Sequence, residues 1–251
     1  MCKISKYNLF KTVFLVFIFS YVFSLRAQDI TFYASGKGQV FGSTIVNRSI
    51  TDDENQNYSF ALSGAGGVGG AFYLFDKIGL SLDFLIGNHK AVYNASELTA
   101  NDIENNFQST ISYRSIHLPI LLSVRSGGKQ KKDEGMGYLE VGPQFNNCML
   151  ASYTRNDGFD ESISEWTSNS YWSGILGFGM VNSLGRRSAF DFTLGLRIEY
   201  GFGDLGSVDA FGTPFDNDNG YKTFALGVGL QLGVSYQLPI ETNASWLRFL
   251  K

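Results

Sequence analysis

Apolar residues recur at every second position in FALGVGLQLGVSYQL, residues 224–238. Phe224, Leu226, Val228, Leu230, Leu232, Val234, Tyr236 and Leu238 share one face; Ala225, Gly227, Gly229, Gln231, Gly233, Ser235 and Gln237 share the other. A period of two without a slip predicts a β-strand. The same alternation runs through 78–88 (IGLSLDFLIGN), 115–125 (SIHLPILLSVR), 137–147 (GYLEVGPQFNN) and 190–202 (FDFTLGLRIEYGF). It is looser in 171–182 and glycine-broken in 60–74. It is most ambiguous in 30–46, where a bulge is expected near Gly36 or Gly38. Eight strands result. The stretches 47–58, 94–109, 151–170 and 204–220 are long and polar, 75–77 and 185–188 are tight turns, and 127–136 is intermediate and charged. Long connections on one side and mostly short ones on the other predict an all-β fold, a single eight-stranded antiparallel up-and-down transmembrane β-barrel.

A soluble sandwich or barrel also alternates, but three features argue against it. The 224–238 strand would run ~50 Å at ~3.3 Å per residue, whereas soluble strands usually hold ~5–6 residues and tilted membrane strands need ~9–11. The face opposite its apolar one carries no charge and is mostly Gly, Ser, Ala and Gln, a poor solvent surface that suits a narrow barrel interior. Charges on the other inner faces have mixed sign, so they can pair across a lumen. The expected polar network is Lys37, Asp83, His117, Glu140, Arg197 and Glu199. Phe190 and Tyr200, like Phe224 and Tyr236, lie near opposite ends of their strands, and Trp172 lies at a loop end. These five are expected to form aromatic girdles at the two membrane interfaces.

The first 27 residues read as a cleaved signal peptide. Lys3, Lys6 and Lys11 precede the apolar run Val13–Leu25, which is too short to span as a helix. The expected division is therefore a signal peptide (1–27), an outer-membrane barrel (28–240) and a short tail (241–251). Losing Lys3, Lys6, Lys11 and Arg26 without any acid takes the net charge from −3 to −7. No basic patch remains to track phosphates, so nucleic acid is not an expected partner. Cys148 is then the sole cysteine, which excludes an internal disulfide.

Candidate chemistry is sparse. The two histidines are His89, placed at the loop end of the third strand, and His117, placed inward on the fourth. As a metal pair they have no companion ligand at ligand spacing. A Ser115–His117–Glu140 set can be drawn from inward positions, but a lumen is a poor place for a nucleophile to meet substrate. No catalytic residue, cofactor or metal is expected, and the chain is read as a non-enzyme.

SYRSIHLPILLSVR (112–125), a charged turn, and YLEVGPQF (138–145) together resemble the PorT-like outer-membrane β-barrel family of Bacteroidetes. GILGFGM (174–180) and FTLGLRIEYGFGDL (192–205) are similar to its later strands. The resemblance covers nearly all of the mature chain. It implies an outer-membrane location, with outer-membrane lipid or lipopolysaccharide and envelope or secretion proteins as partners. One class of that family acts in type IX secretion. His117 before Pro119, and the tail ETNASWLRFLK, depart from its pattern. If 127–136 is a hairpin turn, Pro119 faces about Gln144 and Pro143 faces about Ile120. The missing proline donors should weaken or bulge that ladder. With both termini periplasmic and the lumen plugged, a structural, adhesive or assembly-partner role through the polar loops is expected, with a secretion accessory and a small-barrel membrane enzyme acting on lipid as the alternatives.

Overall fold

The computed structural model describes residues 30–47, 56–98, 104–126, 135–185, 188–214 and 222–239; the expected signal peptide and tail lie outside them. Eight long strands follow the alternating segments: β1 (Ile30–Val46), β2 (Gln56–Leu74), β3 (Ile78–Leu98), β4 (Glu104–Arg125), β5 (Met136–Arg155), β7 (Ser170–Ser183), β8 (Phe190–Gly201) and β9 (Phe224–Gln237). A three-residue β6 (Asp160–Ser162) pairs on the outer end of β5, before a short 3₁₀ turn at Ser164–Trp166. Every long strand is antiparallel to its sequence neighbour, and β1 pairs with β9 from Tyr33–Gln237 to Val46–Phe224. The sheet closes on itself, leaving none of the eight strands with a free edge.

Register partners trace one lap of the ring. From Ile30 they lead to Leu74, Ile78, Val124, Leu139, Phe178, Leu196 and Leu230, and return to β1 at Val40. The lap lands ten residues from its start, from 30 to 40 on the same strand. Ten residues at ~3.3 Å against eight strand spacings of ~4.8 Å give a tilt of about 40° and a backbone radius of about 8 Å. Such a barrel holds side chains and no wide channel. Every member of this lap is apolar and faces out. The next lap faces in: Thr31, Tyr73, Gly79, Ser123, Glu140, Gly177, Arg197, Gly229 and Phe41. Its glycines sit beside its large residues. A Cβ on Gly177 would stand 2.6 Å from the Glu140 side chain, and one on Gly229 would stand 2.3 Å from Phe41 Cα. The glycine-rich face of β9 is therefore space given to neighbouring inward side chains.

Between the two ends, large apolar side chains point outward and exposed: Leu80, Leu82, Phe84 and Ile86 on β3, Ile120, Leu122 and Val124 on β4, Val228 to Val234 on β9. This belt faces lipid. Eleven residues of β8, Phe190 to Tyr200, span it; ten steps at ~3.3 Å and a tilt near 40° give about 25 Å, the height of an outer-membrane barrel's apolar band.

Beyond the belt the pattern inverts. On β3 the apolar positions pass from outward Ile86 to inward Ala91, Tyr93 and Ala95; on β4 they pass from outward Ile116 to inward Tyr113 and Ile111. Outside the membrane the wall meets water and its inner face packs on protein. These inward residues join Ile45, Ala151, Tyr153, Ile163, Tyr171, Leu205, Val208, Ala210 and Ala225 in one buried apolar cluster at the loop end.

Several expectations change. The third strand does not stop at 88: β3 runs for 21 residues, β4 for 22 and β5 for 20, so parts of the expected loops 94–109 and 151–170 are strand. These three rise well beyond β8, which has 12 residues, and make one wall tall. The first strand has no bulge at Gly36 or Gly38. Its register with both neighbours is continuous, and the irregularity lies in β2 between Phe60 and Gly64. A second one falls on the β4–β5 ladder at Arg114/Ser115. Pro119 does face Gln144, and the register holds, yet the ladder skips residues 120–121 and 142–143. The β3–β4 ladder also skips Leu118 and Pro119. The prolines interrupt pairing without shifting it, because each lacks a donor but keeps an extended backbone.

Candidate functional site

The inward residues form four layers from the turn end to the loop end. In the lowest, the Arg125 guanidinium lies 3.7 Å from the centre of the Tyr73 ring and 5.0 Å from that of Tyr33. The Tyr73 hydroxyl donates to Ser123 Oγ at 3.2 Å, and Asp76 and Asp191 are buried at the same end. A cavity of about 40 Å³ separates this layer from the next.

The second layer is ionic. Lys37 Nζ reaches Asp83 Oδ2 at 2.7 Å, and Arg197 donates to Glu140 Oε1 through Nη2 at 2.6 Å and Nε at 3.0 Å. Arg197 Nη2 also lies 3.9 Å from Asp83, so the two pairs form one network. Two cations meet two carboxylates from strands β1, β3, β5 and β8. Gly69 and Gly177 leave space for Asp83 and Glu140: a Cβ at either would fall within 2.0 or 2.6 Å of those side chains.

The third layer holds both histidines. His89 is not at a strand's loop end, as expected, but fully buried mid-lumen, its ring 5.2 Å from that of His117. Glu199 joins them, with Oε2 3.5 Å from His89 Nε2. Its other oxygen accepts from Ser173 Oγ at 2.8 Å and Gln144 Nε2 at 2.9 Å. His117 Nδ1 pairs with Asn146 Oδ1 at 2.6 Å, and Nε2 lies 3.3 Å from Ser115 Oγ. The drawn Ser115–His117–Glu140 set does not form, because Glu140 belongs to Arg197. A Ser115–His117–Asn146 arrangement stands in its place, with all three side chains buried.

The fourth layer is the apolar cluster, covered by residues 203–214 between β8 and β9. Tyr113 Oη donates to Gly206 O (3.1 Å) and lies 2.8 Å from Ser207 Oγ, while Tyr153 Oη donates to Ala210 O at 2.8 Å. Gln56 Oε1 accepts from Ala210 N at 3.2 Å. Part of an expected exposed loop is therefore folded into the barrel mouth.

All six residues of the expected network point inward, but they do not form one cluster. Lys37, Asp83, Glu140 and Arg197 come together; His117 and Glu199 sit in the next layer with His89. Gln144, Asn146 and Ser173 were missed, although each falls on the inward parity of its strand. The five aromatics lie on the outer face near its ends. Phe190 packs on Tyr236 (4.9 Å) towards the turns, while Tyr200 packs on Phe224 (5.2 Å) and Trp172 on Phe145 (5.3 Å) towards the loops.

Residues 30–207 match the family model described as outer membrane protein beta-barrel domain. No curated protein sequence matches the chain. Among solved structures, the chain is similar to Neisserial surface protein A at 12% identity and a TM-score of 0.43, over 82% of this chain and 97% of that one. It is similar to Ail of Yersinia pestis in complex with sucrose octasulfate at 13% identity and a TM-score of 0.37, over 82% and 99%. For the outer membrane protease OmpT of Escherichia coli the values are 9% and 0.35, over 84% and 98%.

Proposed function

The chain belongs to the outer membrane protein beta-barrel domain family, and we propose that it is a sealed, non-porin member that acts through its outward-facing end. The single observation that supports this is the stacking of an ionic, a histidine–amide and an apolar layer across a lumen about 8 Å in backbone radius. Among the described residues, what remains for interaction is the tall β3–β5 wall and the surface of the 203–214 segment above the membrane. That surface suits an adhesive or assembly-partner role among envelope proteins, with outer-membrane lipid or lipopolysaccharide around the belt and both termini on the periplasmic side. The buried Ser115–His117–Asn146 arrangement has no route to substrate through these layers, which favours a non-enzymatic role.

The resemblance of 112–125 and 138–145 supports a place in the PorT-like branch. An accessory role in type IX-like secretion is the alternative within it; a deletion strain that exports its cargo normally would end that alternative. The sealed lumen is tested in planar bilayers. The purified barrel should insert without conductance steps, and steps on the order of a nanosiemens would refute the reading.

A further inference from the structure

We propose that His89, His117 and Glu199 form a buried site for one divalent transition-metal ion of the zinc class, which ties opposite walls of the barrel together. Three observations carry this.

The first is geometric. One donor atom from each residue lies within 4.8 Å of the other two, and His89 Nε2 and Glu199 Oε2 are already 3.5 Å apart. Tetrahedral ligands ~2.0–2.1 Å from zinc stand about 3.3 Å from one another. Small side-chain rotations close the difference. His89 and His117 come from adjacent strands, and Glu199 comes from β8, four places from β3 in the ring of eight.

The second concerns unsatisfied groups. His89 is fully buried, and neither of its ring nitrogens has a hydrogen-bond partner among the described residues. Buried polar atoms are rarely left so. The other two ligands are held as metal ligands are. Asn146 Oδ1 at 2.6 Å from His117 Nδ1 favours the tautomer with the proton there, which leaves Nε2 unprotonated with only the long 3.3 Å contact of Ser115 Oγ to give up. Ser173 and Gln144 occupy Glu199 Oε1 and leave Oε2 available. Such outer contacts fix ligand orientation in protein metal sites.

The third is charge. Lys37 and Arg197 are matched by Asp83 and Glu140. Of the carboxylates in the second and third layers, Glu199 is the one left over, and among the described residues its only ionic contact is His89. A buried carboxylate needs a cation. Two neutral imidazoles and one carboxylate are a donor set that zinc accepts, with a fourth position for a water or for Ser115 Oγ.

The test uses the mature chain refolded in detergent with zinc chloride, then desalted through a chelator. Folding is scored by heat-modifiable mobility on a gel and metal by elemental analysis. The folded wild type should carry about one zinc per chain, and Glu199→Gln, which keeps the Oε1 acceptor but removes the charge, should fall below about a tenth. His89→Ala/His117→Ala should do the same. Folding with cobalt chloride gives a check independent of any variant: the wild type should show the visible bands of a low-symmetry N/O site. Folded wild type with less than about a tenth of an equivalent of zinc and no cobalt bands would overturn the proposal. So would a zinc content unchanged in folded Glu199→Gln.

Discussion

Replacing Arg197 with Met tests whether the ionic layer is held as a pair. The guanidinium is 6% exposed, as is the Glu140 carboxylate it contacts at 2.6 Å. With charge centres ~4 Å apart and an effective dielectric near 20, their gross attraction is about 4 kcal/mol. Taking each ion out of water costs several kcal/mol, so the pair is near neutral for stability while either partner alone is costly. Arg197→Met strands Glu140 among buried groups, and the expected loss is ~3–5 kcal/mol. Asp83 loses its longer 3.9 Å contact with Arg197 but keeps Lys37 at 2.7 Å, so Glu140 is the carboxylate left unpaired. Adding Glu140→Met removes the stranded charge and should return stability to within about 1 kcal/mol of wild type. The assay is urea unfolding of the refolded barrel in lipid vesicles, read by mobility of the folded form on an unheated gel, for both single variants and the double. A loss below about 1 kcal/mol in Arg197→Met, or a double variant that loses the sum of the singles, would refute the reasoning.

Three further outcomes follow from particular positions. Gly229→Ala puts a methyl 2.3 Å from Phe41 Cα and from Val40 O, at the seam where β9 meets β1, whereas a Cβ on Gly36 meets nothing within 4 Å. The first should cost ~1–3 kcal/mol in the same urea assay, and the second should stay within ~0.5 kcal/mol. Asp157, in the turn after β5, has its carboxyl held below the usual carboxylate range, chiefly by the hydrogen bond from Arg155. The turn is therefore held at neutral pH and released only as pH falls through that lowered value; a carboxyl ¹³C titration of Asp157 should show a midpoint below that of Asp in a model peptide, and an ordinary midpoint would contradict the contact.

The belt was legible because one solvent, lipid, selects one parity over ten or so residues, as in Leu226 to Tyr236. The hairpin register was legible too, since a short turn fixes which numbers face each other; Pro119 opposite Gln144 follows from it. The outer halves of β3, β4 and β5 were not. There, apolar residues change parity, from Ile86 to Ala91 and from Ile116 to Tyr113, and a strand with inverted phase reads as the end of a strand. His89 falls in that inverted stretch, which is why it was placed at a loop end. Glu199 was placed inward from the sequence. Its meeting with His89 depends on the ring closing with a ten-residue offset, a property of all eight registers at once.

The tall wall has a mechanical consequence. β3, β4 and β5 carry roughly eight residues more than β7–β9, which at a tilt near 40° lifts their tips about 20 Å higher. An outward pull on those tips, about 40° from the strand direction, acts mainly along the strands and across their hydrogen bonds, so the long ladders between β3, β4 and β5 are loaded chiefly in shear rather than unzipped one rung at a time. The apolar cluster behind them braces the same wall against sideways bending. A partner gripping the tips would therefore pull against a stiff post anchored through the membrane, and its own bonds would give way before the barrel does.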